Sequence, residues 1–382
     1  MPTIVTIGAM AARGFGWLFR AAGGGTGGSL YAWGFNSSGQ LGLGNTTGTS
    51  SPVQVGALTT WANVSGSMGS TARATLATKS DGTIWAWGSG DNGRLGLGDT
   101  TNYSSPVQIG ALTNWSQPKA CNSFAIALKT DGTLWAWGVN SSGQLGVGNT
   151  TNYSSPVQIG SLTTWKFVDF GCAIKTDNTL WMWGVNSSGQ LGQSNTTGTS
   201  SPVQVGTLTW STVSVNNGST IAIKSDGTLW GWGFNGSGTL GVGDTTNYSS
   251  PVQVGALTNW SKVAIASSSS GGGHALAIKT DGTLWAWGVN GSGQIGDSTT
   301  TSYSSPVQIG TLTTWAGISA GASFSLAVKT DGTLWAWGSN AQGQLGLSDT
   351  TNYSSPVQVG SSTNWLSAGI SGGGFSSFGI RS

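Results

Sequence analysis

The chain has 382 residues, among them 65 glycines and 21 tryptophans, with a formal charge of +2, and only 7% of its side chains are charged. Ordinary domains carry about 25% charged residues, and helices place Glu and Lys on their exposed faces; here every acid is Asp, which excludes a helical fold. So many indoles exclude a disordered chain, and Lys and Arg spread once per repeat give no stripe for a phosphate backbone, so nucleic acid is excluded as a direct partner. No window of 18 uninterrupted apolar residues occurs, which excludes a membrane span.

Residues 1–28 differ in character from the rest of the chain. Thr3 to Ala12 is apolar, Arg13 to Arg20 mixes aromatics with cations, and Gly23 to Gly28 is a glycine-rich link. A secretory signal begins with positive charge, whereas the first Arg comes at position 13, so the segment reads as an uncleaved anchor on a flexible tether. Its anchoring side chains are Ile4, Ile7, Arg13, Phe15, Trp17, Phe19 and Arg20.

From Ser29 to Ser382 the chain repeats. Trp-Gly recurs at Trp33, Trp87, Trp137, Trp183, Trp232, Trp287 and Trp337, at intervals between 46 and 55 residues. Ser-Pro-Val-Gln keeps step with it, as does a threonine-rich run ending in Trp61, Trp115, Trp165, Trp210, Trp260, Trp315 and Trp365. One unit reads as four short strands. Trp260 to Ile265 is the first, His274 to Thr280 the second, Leu284 to Trp287 the third and Ser305 to Ile309 the fourth. Asp281-Gly282 supplies the positive backbone angles of a two-residue hairpin between the second and third. In the third strand Leu284 and Ala286 face one way and Trp285 and Trp287 the other, so the sheet is apolar on both faces and must be covered on both. A ring of such sheets achieves that cover by setting the indoles of one against the small residues of the next.

The ends predict how the ring closes. Phe378 to Ser382 aligns with Leu326 to Thr330 and stops where Asp-Gly-Thr should come, while Gly27 to Trp33 aligns with Asp331 to Trp337. The fold class is therefore all-β: a seven-bladed β-propeller of four-stranded blades, closed by N- and C-terminal strands sharing one blade.

Leu-Trp-Ala-Trp-Gly, then Asn-x-x-Gly-Gln-Leu-Gly, then Ser-Pro-Val, resembles the regulator of chromosome condensation repeat from Gly28 to Ser382. The resemblance implies the propeller. It does not by itself imply the nucleotide exchange performed by the founding member, whose wedge is a hairpin inserted in one blade, since no interval here leaves room for one. The leader in turn resembles the amino-terminal segments of tailed-bacteriophage structural proteins at Thr6-Ile7-Gly8 and Ala12 to Gly16.

No paired Glu, metal cluster, nucleophile elbow or phosphate loop occurs, so no enzyme activity and no cofactor or metal is expected. His274 reads as a structural residue bonding a neighbouring backbone carbonyl, and Cys121 and Cys172, at different repeat positions, as small apolar residues without a bridge. Candidate ligand contacts lie in the loops before the fourth strands: Tyr103, Tyr153, Tyr248, Tyr303 and Tyr353, with Asn102, Asn152, Asn247 and Asn352 beside them, and glycine instead around Gly48 and Gly198. Packing of each ring over the adjacent blade is the competing reading. The bland Ser/Thr/Asn exterior and the leader favour a virion surface protein, such as a tail fibre, spike or capsid decoration. Residues 1–28 would then dock on other virion structural proteins, and the propeller would contact a host surface glycan or protein. Two alternatives stand beside it: guanine-nucleotide exchange or other regulation of a small GTPase, and a secreted, extracellular carbohydrate-binding propeller.

Overall fold

A computed structural model describes residues 27–67, 73–266 and 273–382, the side chains of residues 367–370 excepted. The anchor residues Ile4 to Arg20 lie outside the described residues. Numbering blades from the first complete one, blade 1 holds Trp61–Gly66, Ala74–Lys79, Ile84–Gly88 and Tyr103–Gln108 as its first to fourth strands. Blades 2, 5 and 6 repeat this pattern over residues 115–158, 260–308 and 315–358. Blades 3 and 4 are joined, because Thr199–Val215 runs unbroken as the fourth strand of one and the first of the next. Blade 7 takes Trp365–Gly372 and Ser376–Arg381 from the carboxyl end and Ser29–Gly34 and Thr49–Gln54 from the amino end, as expected. Its seam is a continuous antiparallel ladder from Ser29 opposite Arg381 to Gly34 opposite Ser376.

Each blade interface holds one apolar cluster. Between blades 5 and 6, Leu284 and Ala286 meet Trp315, Ala327 and Trp337; between blades 6 and 7, Leu334 and Ala336 meet Trp33 and Trp365. Indole against aliphatic is thus the repeated contact, and each indole buries roughly 150–250 Å². The first strands of all seven blades line the axis. Serine hydroxyls there tie blade to blade: the amides of Ala120, Ile265, Gly372 and Gly66 donate to Ser65, Ser214, Ser319 and Ser371 Oγ at 2.8–3.1 Å.

The hairpin expectation needs correction. Gly282 alone is left-handed (φ +80°); its N–H donates to Lys279 O, and Lys279 N–H to Thr283 O, so the turn is a three-residue loop ending in a glycine bulge. Asp281 is held instead by its carboxylate, which accepts from the Thr283 amide and hydroxyl at 2.9 and 2.7 Å.

The two indoles of the third strand also differ: Trp287 is buried, whereas Trp285 is half-buried and carries a cation. Lys279 Nζ sits 3.6 Å from the Trp285 ring centroid and 5.0 Å from that of Trp260. Lys79, Lys129, Lys175 and Lys329 repeat the arrangement, and in the seam blade Arg381 lies 4.2 Å over Tyr31 and 4.1 Å over Trp365. In blade 4, Lys224 is drawn away to Asp226 at 3.0 Å and stands 5.2 Å from Trp230. Even spacing of cations along the sequence therefore reflects one clamp per blade. Lys329→Met, which keeps the stem but removes the charge, is expected to cost about 0.5–2 kcal/mol. Lys224→Met should cost less, and urea unfolding of the two variants checks the difference.

Candidate functional site: an uncharged notch on the loop face

The loops between third and fourth strands are built on a buried asparagine. In blade 2, Asn140 Nδ2 donates to Asn149 O (2.9 Å), and its Oδ1 accepts from Leu145 N–H (2.9 Å); Asn36, Asn186, Asn235, Asn290 and Asn340 repeat the second bond. Gly146 then turns left-handed under the next blade, where a Cβ would lie 2.7 Å from Trp183 Nε1. That indole N–H donates to Gln144 O at 3.1 Å. These loops share one face of the ring with the hairpins joining first and second strands. Hairpin length is where the blades differ.

Blade 3 has the shortest of these hairpins, Phe170-Gly171 between Trp165–Asp169 and Cys172–Lys175. It accounts for the 46-residue interval from Trp137 to Trp183, the smallest in the chain. The missing residues leave a notch of about 240 Å³ between blades 2, 3 and 4. Met182, Trp183, Leu191 and Val215 form its floor, Phe124 and Phe170 its wall, and Asn122, Ser123 and Asn217 its rim. Phe124 and Phe170 meet edge-to-face at 5.1 Å, and Val185 at the mouth is 44% exposed. Among the described residues, no ionisable side chain lines it.

Asp169, 2% exposed, holds this corner from beneath. Its carboxylate accepts from Phe170 N–H at 2.9 Å and Val215 N–H at 3.3 Å and pairs with Lys119 Nζ at 3.1 Å, joining the three blades that make the notch. Burial works against the Lys119 ammonium, but the adjoining carboxylate outweighs it and lifts Lys119 above the ordinary lysine value. Cys121 and Cys172 are buried and unbridged, as expected, with thiols pushed well up by burial.

The tyrosines lie around the rim in half-exposed positions, apart from the notch. Their hydroxyls are engaged within their own loops: Tyr103, Tyr248 and Tyr353 donate to Asp99, Asp244 and Asp349 at 2.7–2.9 Å, and Tyr153 accepts from Asn149 at 3.1 Å. Tyr303 bonds to Asp297, which raises its pKa. The neighbouring amides are engaged too, since Asn102, Asn152, Asn247 and Asn352 Oδ1 accept from the amides of Gly90, Asn140, Asn235 and Asn340 at 2.7–2.9 Å. Register corrects one alignment. Thr49 and Thr199, opposite Gly34 and Gly184, hold the tyrosine position, and Gly48 and Gly198 hold that of the adjoining asparagine. His274 reaches a carbonyl only through a relay, Nε2 to Ser325 Oγ at 2.8 Å and Ser325 Oγ to Gln294 O at 2.7 Å. None of the notch residues stands among the sequence candidates, although the short interval and Met182, standing where other repeats have Ala or Gly, both mark it.

Seven blades sealed by their termini, each built on the same buried asparagine or its glycine variant, define a closed repeat propeller. The family model of the Regulator of chromosome condensation (RCC1) repeat matches residues 27–72, 81–128, 131–174, 177–223, 226–278, 281–328 and 331–380. The chain belongs to this family. It is 42% identical over 86 residues to the Ultraviolet-B receptor UVR8 of Arabidopsis thaliana, covering 22% of this chain and 19% of that one. To the E3 ubiquitin-protein ligase HERC2 of Homo sapiens it is 35% identical over 102 residues, 26% of this chain and 2% of that one. The chain thus matches under a fifth of the length of either relative. Among solved structures, Prp20p from Saccharomyces cerevisiae superposes with a TM-score of 0.80 at 19% identity, covering 94% of this chain and 92% of that one.

These findings overturn the virion expectation, and with it the virion-surface location and the virion structural proteins as partners of residues 1–28. The relatives are a receptor of a plant and a ubiquitin ligase of a mammal, and nothing in these matches points to a virion. The bland exterior that suggested a virion has an internal cause. Its Asn, Thr and Asp are the clasps and turns of the repeat, and all twelve acids have an intramolecular partner. Among the described residues, no helix is long and apolar enough to cross a membrane.

Proposed function

We propose that this chain is a regulator acting by protein recognition rather than catalysis, and that the notch docks an apolar segment of its partner, with a small GTPase as the partner class. The notch carries this reading. At about 240 Å³ it is smaller than the roughly 300–1,000 Å³ of small-molecule sites, and its apolar floor and neutral polar rim suit one or two side chains of a protein. Prp20p, of the same fold, is described with its binding to Gsp1p and histones. With only twelve acids and a formal charge of +2, this surface offers a basic histone little, which favours the GTPase. The same reasoning makes the tyrosine loops braces for the blades, since their hydrogen-bonding groups are already paired within each loop.

Nucleotide release from a panel of small GTPases, followed by stopped-flow fluorescence, tests the assignment. At least one member should be accelerated, and Val185→Asp at the exposed mouth should reduce the acceleration about tenfold or more with the thermal midpoint unchanged. A panel with no accelerated member overturns the GTPase assignment.

A further inference from the structure

A second recess lies on the outer rim between blades 7 and 1, far round the ring from the notch. It is an open groove of about 630 Å³, lined by Leu43, Asn45, Thr49 and Leu58 of blade 7 and its link and by Lys79 and Trp85 of blade 1. Leu58 is 48% exposed there, and Lys79 stacks on the Trp85 ring at 3.5 Å.

The repeat itself shows what such a groove is shaped to hold. One blade on, Tyr103 takes the place of Thr49, Leu97 that of Leu43, Asp99 that of Asn45 and Trp135 that of Trp85. The tyrosine ring packs there on the same apolar cluster as Leu97 and Trp135, and its hydroxyl bonds to Asp99 at 2.9 Å. Blades 2 and 6 are built alike, with Tyr153 and Tyr353 packed beside Trp181 and Tyr31. In blade 7 the ring is missing but its surroundings are kept. Blade 3 also carries threonine, Thr199, but there Gln193 Nε2 spans to Gln204 O at 3.0 Å and closes the loop against its own strand.

We infer that the groove at Thr49 receives a tyrosine side chain from a protein partner, the ring lying against Leu43 and the Trp85 edge and the hydroxyl bonding to Asn45. Asn45 suits this role, because its Oδ1 already accepts from Asn36 Nδ2 and Thr47 N–H, which leaves Nδ2 to donate to a phenol as Asn149 Nδ2 donates to Tyr153. The site is separate from the notch and does not depend on the GTPase reading.

Saturation-transfer NMR with N-acetyltyrosinamide on the full chain tests it, with N-acetylphenylalaninamide and N-acetylleucinamide as comparisons. Tyrosinamide is expected to bind at millimolar concentration and about fivefold more tightly than phenylalaninamide, the worth of one hydrogen bond. Asn45→Ala should remove that preference. Thr49→Tyr, which restores the residue five other repeats carry, should fold normally, raise the thermal midpoint and abolish binding. Leu43→Ala gives a second reading that leaves the strand untouched, and should weaken all aromatic probes alike. Equal binding of tyrosinamide to the wild-type chain and to Thr49→Tyr, or of leucinamide and tyrosinamide to the wild type, overturns the proposal.

Discussion

Trp33→Ala is expected to lower the unfolding free energy by about 3–5 kcal/mol, the range for deleting a fully buried aromatic side chain. Trp33 is 0% exposed, donates from Nε1 to Gln344 O at 2.9 Å and packs at 5.9 Å against Trp365. Those partners lie more than 300 residues away in sequence, so this one side chain fastens the amino-terminal strands of blade 7 to blade 6 and to the carboxyl-terminal strands at once. The neighbouring loop has little freedom to fill the void, because Gly346 is left-handed (φ +74°) and already approaches Trp33 so closely that a Cβ would stand 2.7 Å from its Nε1. Trp85→Ala, at a half-buried site where the ring still touches solvent, should cost distinctly less. Guanidinium unfolding monitored by far-ultraviolet circular dichroism measures both. A cost below about 1 kcal/mol for Trp33→Ala would show that the ring does not depend on its seam.

That seam is legible in the sequence because it is a matter of counting. The half-repeats at Gly27 to Trp33 and at Phe378 to Ser382, each supplying strands that the other lacks, are features of the linear sequence, and they lead directly to the ladder from Ser29 to Arg381. What depends on side chains meeting across strands is not legible in this way. Lys79 finds Trp61 and Trp85 only because register places the end of the second strand beside the first and third, so cations that look evenly spread along the chain are in fact stacked. The notch escapes for another reason. It is made by residues that blade 3 lacks, and a deletion leaves no motif to read, only the shortened step between Trp137 and Trp183 and the single methionine, Met182, within it. The virion expectation fails because it treats polar composition as a property of the surface. In Asn140 or Asp281 the polar group serves the backbone of its own loop and says nothing about the medium outside.

The pH dependence of stability should reveal a charge that the fold refuses. His274 is 0% exposed, and burial lowers its pKa from 6.5 to about 3. Because Ser325 Oγ donates to Gln294 O, it must accept from His274 Nε2–H, which fixes the neutral tautomer and leaves Nδ1 with no partner among the described residues to steady a second proton. The unfolded chain takes up its proton near pH 6.5, while the folded chain does so only near 3. Between those values the unfolded state binds more protons, so the stability conferred by a neutral His274 is full above pH 6.5 and falls as the pH is lowered, by about 1.4 kcal/mol per unit. Urea unfolding at pH 7, 6, 5 and 4 should therefore show a loss of about 3 kcal/mol across the series. His274→Phe should flatten this slope, since Phe124 and Phe324 hold the same register opposite Gly138 and Gly338. The turn aspartates act in a lower window. Asp226, brought down to about 2 by hydrogen bonds from the Thr228 hydroxyl and amide, stabilises the fold above its unfolded value of 3.8 and ceases to do so only as the pH falls through 2. Loss of stability between pH 6.5 and 5 thus belongs to the histidine, and equal slopes there in the wild type and His274→Phe would mean that the imidazole takes its proton without disturbing the ring.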